Sequence, residues 1–359
     1  MLKVAMAGAS GAVAGAIPHR RAHGADAPAG PGAPDPRIQG PFLILSTPFT
    51  ASGAVDFDAL AKEARYVDWC GCPGMIWPQS GDSVDLLTTD EKLRGMEVLA
   101  KTTRGRRTAL CLGVQGKDTA EMLMYAKHAE KLAPTAIISR PLDSGKTEDD
   151  LREYWRALAT VARRPVFFQT TGGVAYRGPT PSVPLMVGLA KESPYFGYIK
   201  EEAGDVIGRM KALVAAKPPI RRVFGARGGY GWLYELHLGA EGLITERAIY
   251  ADVLTRVWEL HRSGSDPAAL RDAYSKFLLM INLSKTHPGD LRGYQLYLWK
   301  KRGVFQTMVS RHYGRGRSIP EKPIYSELEL SEEEIAEIEF RFEALKPHQK
   351  PGSPDLGPR

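Results

Sequence analysis

Three cysteines in 359 residues do not make a disulfide-built scaffold. Cys70 and Cys72 share one Cys-Gly-Cys triplet, too close to bridge without strain, and Cys111 stands apart. The eight histidines are spread along the chain, and the sequence announces no metal site. No metal and no cofactor are expected. No basic block is interleaved with aromatics, so a nucleic-acid footprint is excluded as the source of the net charge of +7. That charge gathers in local clusters such as Lys101/Arg104/Arg106/Arg107 and Lys300/Lys301/Arg302, which suit anionic metabolites or simply a solvated face. No apolar run is long enough to span a bilayer.

What is present is ordinary for one large soluble domain or two small ones, with 43% hydrophobic and 25% charged residues. The N-terminus reads differently. Lys3 is followed by a weakly apolar Ala/Gly-rich run from Val4 to Ile17, then Arg20-Arg21, then Ala25-Asp26-Ala27 and a Pro/Gly/Ala spacer. Residues 1–27 have the layout of an export signal, and the alternative is a compositionally biased extension of a cytoplasmic protein. Residues 1–37 are therefore set apart from the fold.

From Pro41 onward short β-rich runs alternate with amphipathic stretches. Strands are expected at 42–45, 74–77, 108–112, 135–139, 165–169, 196–200, 222–224 and 242–244. Helices are expected at 57–69, 89–102, 119–132, 148–162, 183–192, 206–215, 230–238 and 248–261. Eight such units suit a closed parallel α/β barrel, the (β/α)8 TIM barrel. The strands are continuous apolar runs, as expected when both faces are buried. A doubly wound sheet would carry a glycine-rich dinucleotide turn after its first strand, and that turn is missing here. The barrel is assigned to 38–262. Residues 263–347 are expected to form a helical layer without strands, with a connection at 310–330 that folds over a barrel end or meets another subunit. Residues 348–359 read as a loose tail.

In such a barrel chemistry gathers at the C-terminal ends of the strands. Strand one ends in Thr47-Pro48-Phe49 and strand two in Gln79-Ser80-Gly81-Asp82. Strand four ends at Arg140, and strand five runs from Gln169 into a Gly/Pro-rich loop holding Tyr176 and Arg177. Strand six ends at Lys200, strand seven at Gly225 and strand eight at Thr245. A lysine partly withdrawn from water at a strand mouth is disfavoured in its charged form and can attack a keto carbon. Hydroxyls and exposed N–H groups around it suit the adjoining carboxylate. A solvated lysine at a strand end is the plain alternative.

Thr47-Pro48-Phe49, Ser80-Gly81-Asp82 with Leu87-Thr88 and Glu91, Ile199-Lys200-Glu201, Gly204-Asp205 and Gly239-Ala240-Glu241-Gly242 occur in a fixed order. Together they resemble the dihydrodipicolinate synthase/N-acetylneuraminate lyase family over roughly residues 40–310. The resemblance implies a TIM barrel with a C-terminal helical layer, usually tetrameric or otherwise homo-oligomeric. It also implies a pyruvate-type class I aldolase or dehydratase whose small-molecule partner is a keto acid or sugar acid. It places Lys200 on the Schiff-base lysine and Gln79-Ser80 where two hydroxyl residues hold the keto acid's carboxylate. Arg177 falls where relatives carry an arginine for a distal carboxylate, and Arg140 adds a second cation near the mouth. The family's acid/base tyrosine at the end of strand five is missing from Phe168-Gln169-Thr170-Thr171-Gly172, which leaves Tyr176 as the nearest phenol in sequence. A catalytically impaired binding or regulatory protein is the other reading of that loss.

Overall fold

The computed structural model describes residues 33–173, 176–286, 291–313, 321–322 and 324–357. The signal-like residues 1–27 lie outside them. Eight strands, β1 (Gly40–Ile44), β2 (Gly74–Trp77), β3 (Ala109–Gly113), β4 (Ala136–Ser139), β5 (Val166–Gln169), β6 (Tyr198–Lys200), β7 (Arg222–Gly225) and β8 (Gly242–Thr245), form the closed barrel. All pair in parallel in chain order, and β8 returns to β1 with Phe42 opposite Ile244.

Between the strands run α1 (Phe57–Trp69), α2 (Thr89–Thr103), α3 (Thr119–Leu132), α4 (Glu148–Val161), α5 (Val183–Glu192), α6 (Val206–Ala215), α7 (Trp232–His237) and α8 (Ala251–Ser263). Their starts follow local chemistry. Thr88 with Glu91 and Thr147 with Asp150 close capping boxes, each satisfying two orphan N-terminal groups. Asp56, Asp118, Ser182 and Asp205 cap four more helices through side-chain oxygens. Turns at Arg227–Gly229 and Ala248–Tyr250 are 3-10 helices, which shortens the seventh and eighth helices at their starts relative to the sequence expectation.

Strand side chains alternate between two cores. Phe42, Ile44, Ile76, Cys111, Ile138, Phe167, Tyr198, Phe224 and Ile244 fill the barrel interior. Phe224 sets its ring edge-on to Phe42 (5.5 Å) and to Phe167 (5.1 Å). The other faces pack on the helix ring, each fully buried large apolar side chain contributing about 1.5–3 kcal/mol. Asp35 donates its N–H to the Tyr198 hydroxyl at 3.0 Å, and the fully buried Ile38 joins the interior core beside the start of β1.

The C-terminal layer comprises α9 (Pro267–Ile281), α10 (Leu283–Thr286), α11 (Leu291–Lys301) and α12 (Glu332–Glu343). It is not purely helical as expected. Val309–His312 (β9) pairs antiparallel with Ile324–Glu327 (β10). Four-residue strands show too little periodicity to register in the sequence, and their pairing is made across an intervening stretch. The hairpin is clamped over the C-terminal end of the barrel. Buried Arg311 donates to both Glu91 oxygens (2.6 and 2.8 Å), to the Leu86 carbonyl (2.8 Å) and to the Gly53 carbonyl (2.9 Å). Gly53 follows β1 and Leu86 follows β2, so the described part of the 310–330 connection covers the same end as the candidate site.

Candidate active site

Tyr198 points into the barrel, so Lys200, two residues on, turns inward at the end of β6. The same parity carries Gln169 inward beyond Phe167 on β5, and the register sets Gln169 directly beside Lys200. Lys200 is 4% exposed. Its Nζ donates to Gln169 Oε1 at 3.4 Å and stands 3.1 Å from Glu202 Oε1. Gln169 Nε2 donates to the Thr171 hydroxyl at 3.2 Å, and that hydroxyl donates to Glu202 Oε1 at 2.6 Å. Four side chains thus close a ring with the amine as one member. Phe168 lies on the opposite face, stacked on Trp155 at 4.6 Å and edge-on to Phe196 at 4.7 Å. Among the described residues, Lys200's hydrogen-bond and ion-pair partners include no phenol.

The two acids after Lys200 have separate fates. Glu201 is fully buried and accepts from the Thr170 hydroxyl (2.9 Å), the Ala203 N–H (2.9 Å) and Arg209 Nε (3.1 Å), locking the turn into α6. Glu202 faces the amine.

A second group forms at the end of β2. Gln79 is fully buried, its Oε1 accepting from the Ser80 N–H at 2.6 Å, while its Nε2 has no partner. The Ser80 hydroxyl accepts from Arg140 at 3.3 Å. Arg140 forks onto Asp85 (2.6 and 3.1 Å) and reaches Asp143 at 2.7 Å. Burial works against its charge, but Asp85 and then Asp143 outweigh it and hold the guanidinium firmly protonated. Tyr176 and Arg177 both make hydrogen bonds within the loop after β5. The Tyr176 hydroxyl donates to the Pro179 carbonyl, and burial, with Asp143 adding to it, pushes the phenol up to about 12. Arg177 is exposed and donates to the Tyr176 carbonyl at 2.7 Å.

A third group joins β1, β2 and β8. The Thr47 hydroxyl donates to the Asp82 carboxylate and accepts from Trp77 Nε1 at 3.0 Å, while the Thr47 N–H donates to Asp82 at 2.9 Å. Thr245 donates to Glu246 Oε2 at 3.1 Å. Burial opposes the charge on Glu246, yet Arg247 and, further off, Lys200 hold its carboxyl below the usual range. Gly81 (φ +97°) passes so close to Glu246 that a Cβ would stand 3.3 Å from the glutamate's Cβ. From α11, Gln295 donates to the Glu246 carbonyl (2.8 Å) and accepts from Arg247 (3.0 Å). Thr47, Gly81, Asp82, Glu246, Gln295 and Ser310 border a small pocket that Lys200 does not line. Behind it, fully buried Glu63 accepts from the Ser46 N–H at 2.9 Å, and burial pushes its carboxyl well up.

Gly225 faces the helix layer: a Cβ there would fall 1.7 Å from Glu235 Oε2 of α7. Sequence reasoning gave no role to Glu202, Thr171, Asp85, Asp143, Glu246 or Glu235. Only Glu202 carried a usable signal, as the second acid directly after the candidate lysine. Among the described residues no group of three or more His, Cys, Asp and Glu is placed to hold a metal ion, and no helix is long and apolar enough to cross a membrane.

No protein-family model matches the chain. It is 25% identical over 204 residues to the 4-hydroxy-tetrahydrodipicolinate synthase of Rhizobium meliloti, covering 54% of this chain and 68% of that one. It is 30% identical over 174 residues to 4-hydroxy-tetrahydrodipicolinate synthase 1 of Streptomyces coelicolor, about half of each chain (48% and 55%). Among solved structures, the N-acetylneuraminate lyase of Fusobacterium nucleatum superimposes with a TM-score of 0.70 at 18% identity, covering 88% of this chain and 100% of that one. An Escherichia coli prophage protein of the dihydrodipicolinic acid synthase family, solved with pyruvate, superimposes at 0.69 and 19% identity over 86% and 99%. Sequence matches at 25–30% identity make this chain a distant relative of the dihydrodipicolinate synthases, and its eight-stranded barrel is the fold of the N-acetylneuraminate lyase as well.

Proposed function

We propose that this chain is a Schiff-base-forming lyase of the aldolase or dehydratase type, acting on a 2-keto acid such as pyruvate or a keto-deoxy sugar acid. The observation that carries the reading is Lys200: a nearly buried amine at the C-terminal mouth of a parallel barrel, 3.1 Å from a carboxylate. Attack of Nζ on the keto carbon and loss of water give an iminium. Its positive nitrogen then accepts the electron pair released when a C–C or C–H bond to the neighbouring carbon breaks; in the dehydratase case the enamine so formed returns that pair and expels the hydroxyl of the next carbon as water. Ser80 and the unpartnered Nε2 of Gln79 supply donors for the keto acid's carboxylate. Arg177, on its exposed loop, is the candidate for an acidic distal group. The pyruvate named for the E. coli structure and the lyase activity named for the F. nucleatum protein support the substrate class. A homo-oligomer, tetramer or dimer, goes with this reading.

A second reading, a keto-acid or sugar-acid binding or regulatory protein, is favoured by one observation. The Thr47 hydroxyl is held by Asp82 and the Tyr176 hydroxyl by Pro179, so neither of these two hydroxyls stands ready at the amine. Borohydride trapping separates the two. Pyruvate, 2-oxobutyrate and 2-keto-3-deoxygluconate are each incubated with the protein, reduced, and the adduct located by peptide mass. An adduct on Lys200 that is lost in Lys200→Arg, with turnover, is expected. An adduct without turnover of any added aldehyde would favour the binding protein, and no adduct across the panel would remove the Schiff-base reading.

A further inference from the structure

We propose that Glu202 is the proton carrier of the Schiff-base step, occupying the functional place of the tyrosine this chain lacks. The proposal rests on the Lys200 reading above and assigns chemistry to a residue that the family pattern does not mark.

The argument starts from proton count. Forming an iminium from an ammonium and a ketone moves two protons from nitrogen to the departing oxygen. R–NH3+ and O=C become R–NH+=C and H2O, with a C=N double bond made and the C=O double bond broken in two stages through the carbinolamine. A group within hydrogen-bond reach of the nitrogen must accept the first proton before attack and return it to the carbinolamine oxygen. Glu202 Oε1, 3.1 Å from Nζ, is an anionic acceptor at that distance. Gln169 Oε1, at 3.4 Å, is an amide oxygen that orients the amine but does not take a proton at ordinary pH.

The carboxylate is also held in position. The Thr171 hydroxyl donates to the same Oε1 at 2.6 Å and is itself fixed by Gln169 Nε2 at 3.2 Å. A proton on Glu202 would stand against the amine and not rotate into solvent, since the side chain is 17% exposed. The other carboxyls near the mouth are otherwise engaged. Asp85 and Asp143 are on Arg140, Asp82 is on Thr47, Glu201 is on Arg209, and Glu246 lies beside Arg247 and Thr245. Tyr176, pushed up to about 12 and bonded to Pro179, is poorly matched to proton transfer near neutrality.

The test uses the full-length protein with pyruvate and cyanoborohydride, following adduct formation on Lys200 by intact and peptide mass. Glu202→Gln keeps size and shape and removes the proton acceptor. Its trapping rate is expected to fall by about 10²–10⁴-fold, with partial rescue in Glu202→Asp. Thr171→Val keeps the carboxylate and removes the hydroxyl that positions it. A smaller loss, restored by Thr171→Ser, is expected, and this pair tests the ring even if Glu202→Gln does not fold. Wild-type adduct that forms equally fast in Glu202→Gln would overturn the Glu202 role alone. No wild-type adduct with pyruvate would overturn the Schiff-base reading and the Glu202 role together.

Discussion

Glu235 offers a test of how the barrel wall tolerates a buried acid. The side chain is 3% exposed, its Oε2 has no hydrogen-bond partner, and it lies against the backbone of Gly225. Burial raises its carboxyl from 4.5 to about 7, with Arg227 opposing. Between those two pH values the folded chain keeps a proton that the unfolded chain has released. Stability therefore falls as pH rises through this window, by about 1.4 kcal/mol per pH unit, and levels off above about pH 7. Over the whole window this amounts to about 3 kcal/mol. Glu235→Gln keeps the shape and abolishes the titration. Whatever constant cost its amide carries, the difference between variant and wild type should shift in the variant's favour by about 3 kcal/mol from pH 4 to pH 8. For a chain of this size that is a change of about 4–5 °C in the Tm difference. Urea and thermal unfolding across pH 4–8 measure it directly. A difference between the two proteins that stays flat over this range would refute the assignment of a proton to Glu235 in the folded state.

Two further outcomes follow from packing. Arg311→Met removes the clamp between the β9–β10 hairpin and the mouth and leaves Glu91 without its bidentate partner. A loss of about 3–5 kcal/mol is expected, read as a lower urea midpoint together with faster proteolysis of the hairpin; unchanged proteolysis would mean that the hairpin is held elsewhere. Gly95→Ala would place a Cβ 2.2 Å from the ring of fully buried Trp77, whose indole also anchors Thr47. A cost of about 1–3 kcal/mol and an altered near-UV tryptophan spectrum are expected; a neutral effect on both would show that the ring has room to shift.

Much of the architecture is legible in the chain because it rests on local rules. Caps at Thr88, Thr147 and Ser331, each with an acid three residues on, mark helix starts through groups only a turn apart. The apolar runs between them are strands buried on both faces, and their alternation with helices specifies a parallel barrel. The β9–β10 pair was not legible, because a four-residue strand has no periodic signature and Arg311 reaches partners more than two hundred residues away. Arg140 reads in the sequence as a free cation at the mouth. Its charge is in fact shared by Asp85, 55 residues earlier, and by Asp143, a loop acid beside it.

The stretch around Lys200 shows the same division at atomic scale. The sequence places the lysine at a strand's C-terminal end, and strand parity after Tyr198 turns it inward, because side chains alternate strictly along extended backbone. Past the last strand residue that parity lapses, and nothing in Lys-Glu-Glu says which glutamate faces the amine. Only the folded barrel decides it. The register of β5 against β6 brings Gln169 beside Lys200, Thr171 follows on the next turn of chain, and Glu202 is drawn to both while Glu201 is held behind by Arg209. Pairwise contacts between neighbouring strands are properties of the sheet, and no single strand carries them.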